Sequence, residues 1–223
     1  KVPSGDNDIF EIMKEYIEIK KPILFSTGMM NMKMIKKLIN RLKKQKNFNK
    51  KNLCLMHCVS NYPLEISDSN LNSIYSLKNT GFEIGYSDHA TGIDNCIVAA
   101  SLGARVIEKH FTISNNFSSF RDHLHSADPK QLNELSNKLK KINNILGIYK
   151  KIISKNETKN IKSTRRGVYA SKNLIKNQVI RKDDLILLRP QTKLKIENIH
   201  KVLGKKIKRN INKLDEINLS NLI

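Results

Sequence analysis

From residue 22 onward the chain alternates short apolar runs with longer amphipathic ones, and this alternation restricts its fold more than any other feature. The apolar runs are Pro22 to Ser26, Leu53 to Val59, Phe82 to Tyr86 and Ala104 to Glu108. Each has the length of a strand buried on both faces. Met32 to Lys44, Ser69 to Asn79 and Asp94 to Leu102 lie between them with helical spacing. Repeated strand–helix units of this kind predict a parallel sheet covered by helices. Each predicted strand runs into a polar cluster: Ser26-Thr27-Gly28, Ser60-Asn61-Tyr62, Ser87-Asp88-His89 and Lys109-His110. In a β/α barrel the chemistry sits at the C-terminal ends of the strands, so these clusters are expected on one rim.

Asp128-Pro129 opens a further predicted helix that runs to Leu146, with an N-cap residue followed by proline in the first turn. The stretch 147–164 is rich in lysine and asparagine with little apolar periodicity, and it reads as a linker. Residues 165–223 change character again. Short β-rich runs, Gly167 to Ala170 and Leu185 to Leu188, are separated by turn residues such as Lys176-Asn177 and Arg189-Pro190, as in a small second module. The expected fold is therefore α/β: about four β/α units of a TIM barrel over 1–146, then a compact β-rich module over 165–223. Four strands cannot close an eight-stranded barrel, and their outer edges would be left unpaired. Lys1-Val2-Pro3-Ser4-Gly5-Asp6 reads as the end of an earlier strand, so the chain is expected to be the C-terminal portion of a longer protein or one half of a split one.

The 223 residues carry 41 Lys and Arg against 20 Asp and Glu, a formal net charge of +21. Such a charge suits nucleic acid, an anionic membrane or a phosphorylated small substrate. The lysines are scattered among Asn and Ile, without aromatic interleaving or a DNA-binding motif. They read as solvated faces with a secondary attraction for phosphate, and weak, unspecific nucleic-acid binding is the most that is expected. No apolar run approaches the roughly 20 residues that span a bilayer, and no secretory signal opens the sequence. The expected location is the cytoplasm, with no membrane partner. Cys54, Cys58 and Cys96 are an odd count and read as reduced thiols, the first two as core residues of a strand rather than a zinc pair.

The rim clusters resemble those of the sialic acid synthases, which include the N-acetylneuraminate, legionaminate and pseudaminate synthases. The similarity is carried by Lys1-Val2-Pro3-Ser4-Gly5-Asp6, Ser26-Thr27-Gly28-Met29, His57-Cys58-Val59-Ser60-Asn61-Tyr62-Pro63, Gly85-Tyr86-Ser87-Asp88-His89 and Ile107-Glu108-Lys109-His110-Phe111-Thr112. The C-terminal third resembles the antifreeze-like (SAF, β-clip) domain of the same enzymes through Glu157-Thr158-Lys159-Asn160, Arg165-Arg166-Gly167-Val168-Tyr169-Ala170 and Asp184-Leu185 to Arg189-Pro190. The family's first three strands, with a phosphate-binding lysine, have no counterpart.

The resemblance implies a metal-dependent condensation of phosphoenolpyruvate with N-acetylmannosamine or a related acylamino-hexose. His89 and His110 would hold Mn2+ or Mg2+, which draws off charge from the sugar's aldehyde oxygen as C3 of phosphoenolpyruvate attacks. Water addition at C2 and C–O cleavage would then release phosphate and a nine-carbon 2-keto acid. Taken singly, each histidine reads first as a strand-end group bonded to backbone. Lys1, Ser4, Ser60, Asn61, Tyr62 and Ser87 match residues that hold phosphoenolpyruvate; without the resemblance, Asn61-Tyr62-Pro63 reads equally as a loop turn. Asp6 stands where many members have a glutamate that orients the aldehyde or handles a proton. Asp88 is expected to orient His89. Asp122 aligns with a sugar-contacting carboxylate, but Phe120-Arg121 replaces the family's Gly-Pro and leaves the sugar's identity open. Arg165 matches an arginine that enters the partner's site in a domain-swapped homodimer, with Arg166 as the alternative; alone, the Arg-Arg pair reads as solvated. The competing functional reading is a non-catalytic binding protein that keeps the SAF module and half a barrel.

Overall fold

The computed structural model describes residues 1–118 and 122–223. The apolar runs form strands β1 (Ile23–Ser26), β2 (Leu53–Cys58), β3 (Glu83–Asp88) and β4 (Val106–Lys109), joined into a curled parallel half-barrel in the order β1-β2-β3-β4. All six residues of β2 are buried, as a central parallel strand covered on both faces requires. Val2 extends the sheet beyond β1: its N–H donates to the Leu24 carbonyl at 2.8 Å and its carbonyl accepts from Ser26 N at 3.0 Å.

The helices follow the apolar spacing. In α2 (Met32–Leu42), Ile35, Leu38, Ile39 and Leu42 line the buried face, and Asn31 caps the start by accepting from Met34 N at 3.0 Å. Burying each such side chain stabilises the fold by about 2 kcal/mol. The predicted helix from Ser69 contracts to α3 (Ser73–Lys78) because Asn70 turns left-handed at φ 40°. It is followed by α4 (Asp94–Ser101) and by α5 (Pro129–Leu146), whose Asp128 and Gln131 form a reciprocal capping box. One helix precedes the first apolar run counted in the sequence. It is α1 (Phe10–Ile19), which buries Phe10, Met13 and Ile17 and holds Arg41 over the Phe10 ring at 3.7 Å.

The chain divides into two units, Lys1–Gly147 and Ile148–Ile223. The second begins inside the stretch expected to be a linker, and that stretch contains a helix, α6 (Lys155–Thr164), with no buried residue. Ser154 Oγ accepts from Glu157 N at 3.0 Å while Glu157 Oε2 accepts from Ser154 N at 3.3 Å. That capping box starts a helix which apolar periodicity does not announce. β5 (Gly167–Ala170) and β6 (Leu185–Leu188) pair antiparallel beside a core that includes Val168, Leu174, Ile180, Val202, Ile207 and Ile217. Among the described residues no helix is long and apolar enough to cross a membrane.

Candidate active site

Parallel register brings the strand ends together. Cys58 pairs with Ser87 and Asp88 with Lys109, so Ser60, His89 and His110 follow on one rim. The His89 and His110 rings stand edge to face with centroids 5.4 Å apart. Tyr62, half exposed, packs its ring on His89 at 4.1 Å and against His110 at 5.7 Å. His89 is buried, and its Nδ1 lies 2.7 Å from the Val59 carbonyl, so that nitrogen carries the proton and Nε2 keeps its lone pair. Burial pushes the His89 pKa down, the Val59 bond opposes this, and His110 adds to the depression.

The segment after β4 folds back on the rim. Ala127 N donates to the His110 carbonyl at 2.7 Å and Thr112 N to the Ala127 carbonyl at 3.0 Å. Ser126 Oγ donates to the Asp122 carbonyl at 2.6 Å. This strap sets Asp122 Oδ2 3.3 Å from His110 Nδ1 and Asp122 Oδ1 3.7 Å from His125 Nε2. The His110 and His125 rings are 5.4 Å apart. Burial first, against the pull of Asp122, lowers the His125 pKa.

A second group lies at the ends of the first strands. Asn7 Nδ2 donates to the carbonyls of Ser26 at 3.2 Å and Gly28 at 2.8 Å, tying the turn at Ser4–Asp6 to β1. Ser4 Oγ donates to Cys58 Sγ at 3.4 Å, and Ser60 Oγ is buried without a hydrogen-bond partner among the described residues. Lys1 Nζ meets Glu108 Oε2 at 2.7 Å, and Ser87 Oγ donates to Glu108 Oε1 at 3.0 Å. Burial works to raise the Glu108 pKa, but Lys1 and Ser87 outweigh it and the net direction is down. A lysine and several hydroxyls beside a histidine and carboxylate group make a rim able to bind an anion next to a cation.

Residues 1–151 match the model of the NeuB family and residues 165–222 that of the SAF domain. The chain belongs to the NeuB family. It is 35% identical over 206 residues to N,N'-diacetyllegionaminic acid synthase of Campylobacter jejuni, covering 92% of this chain and 61% of that protein. It is 34% identical over 149 residues to human N-acetylneuraminate-9-phosphate synthase, covering 66% and 40%. A solved N-acetylneuraminic acid synthetase from Leptospira borgpetersenii, in complex with citrate, superposes with a TM-score of 0.64 at 33% identity over 71% of this chain and 54% of that one. The chain thus spans about 61% of the length of the Campylobacter relative.

Within this NeuB-family chain, the rim gathers Lys1, Ser4, Ser60, Tyr62, Ser87, His89, His110 and Asp122. Asn61 is exposed beside Tyr62, and Asp6 is half-exposed in the Ser4–Asp6 turn. Phe120-Arg121 lies outside the described residues. Arg165 is exposed at the end of α6 in the second unit, and Arg166 Nη1 donates to the Leu187 carbonyl at 3.3 Å. The expected role of Asp88 is corrected: its carboxylate meets Lys109, Tyr86, Ala90 N and Cys96, while the Val59 carbonyl orients His89. Two residues of the site were not singled out from sequence. Glu108 lies inside the Ile107 to Thr112 motif, and His125 falls in the close spacing Asp122, His123, His125, which is the available signal.

Proposed function

We propose that the chain is the C-terminal part of a nonulosonate synthase that condenses phosphoenolpyruvate with N-acetylmannosamine or a related acylamino-hexose. The observation that carries this reading is the pair of rim histidines, His89 and His110, 5.4 Å apart beside an anion-binding set. Imidazole and carboxylate donors fit a divalent first-row ion or Mg2+, and the unprotonated Nε2 of His89 is the form a metal takes. Bound there, Mn2+ or Mg2+ supplies Lewis acidity toward an aldehyde oxygen.

The remaining roles belong to the chain's own groups. Lys1 and the hydroxyls of Ser4, Ser60 and Ser87, with Asn61, hold the phosphate and carboxylate of phosphoenolpyruvate. The orphaned Ser60 hydroxyl supports this, since an anion oxygen supplies its missing partner. Glu108, kept ionised by Lys1, holds the lysine in place until the anion arrives. Tyr62 walls the histidines from water. Asp6 orients the aldehyde or handles its proton, and Asp122 faces the sugar side of His110. In the reaction the C3–C1 bond forms, the carbonyl oxygen gains a proton, water adds at C2 and the C2–O bond to phosphate breaks. Arg165 reaches a partner subunit's site in a domain-swapped homodimer. Relatives named as legionaminic acid and N-acetylneuraminate-9-phosphate synthases support the substrate class.

The test is phosphate release from phosphoenolpyruvate with a panel of acylamino-hexoses, the product mass being read directly. A nine-carbon 2-keto acid, lost in His110→Ala, is expected. Absence of both phosphate release and phosphoenolpyruvate binding favours a non-catalytic binding protein instead.

A further inference from the structure

His125 is 5% exposed, and its Nε2 has no hydrogen-bond partner among the described residues. Leaving a buried polar nitrogen unpaired costs about 1 to 3 kcal/mol. A histidine that merely packed against the strap would turn that nitrogen toward a carbonyl, as His57 does with Ser69. His125 instead aims it at Asp122 Oδ1, 3.7 Å away and beyond hydrogen-bond reach.

One ligand atom from each of His110, Asp122 and His125 falls within 4.8 Å of the other two. Nitrogen and carboxylate oxygen bond a first-row divalent ion at about 2.1 Å, so two donors on one ion lie at most about 4.2 Å apart. Three donors cannot all lie opposite one another, and adjacent ones stand about 3.0 to 3.4 Å apart, so movements of up to about 1.8 Å shared among these side chains close the set. The His110 ring stands 5.4 Å from both the His89 ring and the His125 ring. An imidazole's centre sits about 3.2 Å from an ion it binds, so two such rings on one ion are separated by up to about 6.4 Å.

We propose that His125 is a third imidazole donor to the ion shared by His89 and His110, with Asp122 beside it, and that it makes the site select transition-metal ions over Mg2+. The inference rests on the reading above, in which the rim histidines hold a divalent ion. Nitrogen donors strengthen binding of Co2+, Ni2+ and Zn2+, whereas Mg2+ prefers oxygen and keeps its waters. Each histidine that replaces a water therefore widens the gap between the two classes. The strap makes the third donor possible, because the Ala127–His110 backbone bond fixes the distance from His125 to the end of β4.

The test compares Co2+ and Mg2+ binding by the unaltered chain, His125→Leu and His110→Leu, using calorimetry and the visible absorption of bound Co2+. His125→Leu should weaken Co2+ about tenfold or more and change its spectrum, while Mg2+ affinity moves less than about twofold. If His125→Leu leaves the Co2+ affinity and spectrum unchanged while His110→Leu destroys binding, the inference is overturned and the two-histidine reading stands. If the unaltered chain takes up no Co2+, or His110→Leu also has no effect, both fall. Should His125→Leu fail to fold by circular dichroism, X-ray absorption of Zn2+ on the unaltered chain decides: three coordinated imidazoles support the proposal and two or fewer overturn it.

Discussion

Lys109 Nζ lies 2.9 Å from Asp88 Oδ2, with both side chains sealed from water. The two residues are register partners across β3 and β4, and each is followed directly by a rim histidine. The ion pair therefore fixes the relative height of His89 and His110. Tyr86 Oη donates to Asp88 Oδ1 at 2.8 Å and Ala90 N does so at 3.1 Å, while Lys109 also donates to the Ala90 carbonyl. Removing one partner strands a buried charge, which costs about 3 to 5 kcal/mol. Asp88→Ala and Lys109→Met should each lower unfolding stability by that order in urea titrations, and the double variant should lose well short of the sum. Additive losses would show that the charges are not coupled.

Gly28 sits where the strand-end turn passes between two serines. A Cβ built there overlaps the side chain of Ser4 and the hydroxyl of Ser60. The hydroxyls can turn aside, but Ser4 Cβ, 2.9 Å from the added methyl, cannot, so Gly28→Ala should shift the turn and disturb the anion-binding set. Phosphoenolpyruvate affinity, measured by calorimetry, is expected to fall about tenfold, equivalent to about 1.4 kcal/mol, with circular dichroism checking that the fold is retained. Unchanged affinity would remove these hydroxyls from the anion site.

His57 is buried on β2 and its Nε2 lies 2.8 Å from the Ser69 carbonyl, so that nitrogen carries the single proton and donates it. Burial lowers its pKa from 6.5, and the weaker opposing influence of the Ser69 bond does not restore it. His89 and His125 are lowered from 6.5 by the same leading cause. The unfolded chain accepts protons that the folded chain declines, so stability is full above 6.5 and declines as the pH falls from there toward the lower folded values. In EDTA, the urea midpoint should drop between about pH 7.5 and about pH 5.5, and His57→Gln should flatten that slope. A midpoint that rises on acidification would contradict the assignment.

What the sequence makes legible here follows from which forces are local. The four apolar runs become strands within about two residues of expectation; β2 and β3, covered on both faces, need apolar side chains, while β4 stays half-buried. Their polar ends reach one rim because parallel strands share a direction. α1 shows apolar spacing at Phe10, Met13 and Ile17, yet it precedes the point where the alternation starts. α6 buries nothing, so periodicity has no face to report, and only Ser154 and Glu157 mark it. The partner of Asp88 is visible only in cross-strand register, which a single strand does not encode. His125 joins the site through a backbone clamp from Ala127 to His110, a tertiary contact that the spacing of Asp122, His123 and His125 hints at but does not specify.

Within the second unit, Asp184 is the buried carboxylate that closes the turn into β6. Its Oδ2 accepts from Arg181 N at 2.8 Å, and Lys172 Nζ lies 2.8 Å from Oδ1. Burial works to raise the Asp184 pKa, but the Lys172 ion pair and the Arg181 N–H outweigh it and hold the value below 3.8. A carboxylate with a depressed folded pKa contributes stability that is complete above its unfolded value, here 3.8, and is lost as the pH falls through the folded one. Asp184→Asn keeps an oxygen for the Arg181 N–H but gives up the charge facing Lys172. The loss should be about 1 to 2 kcal/mol near neutrality and should shrink toward zero in strong acid, where the native carboxyl is protonated as well. Amide hydrogen exchange at Arg181 and across 167–188 measures this directly. Equal protection in the variant and the parent chain at neutral pH would mean that Asp184 carries no such role.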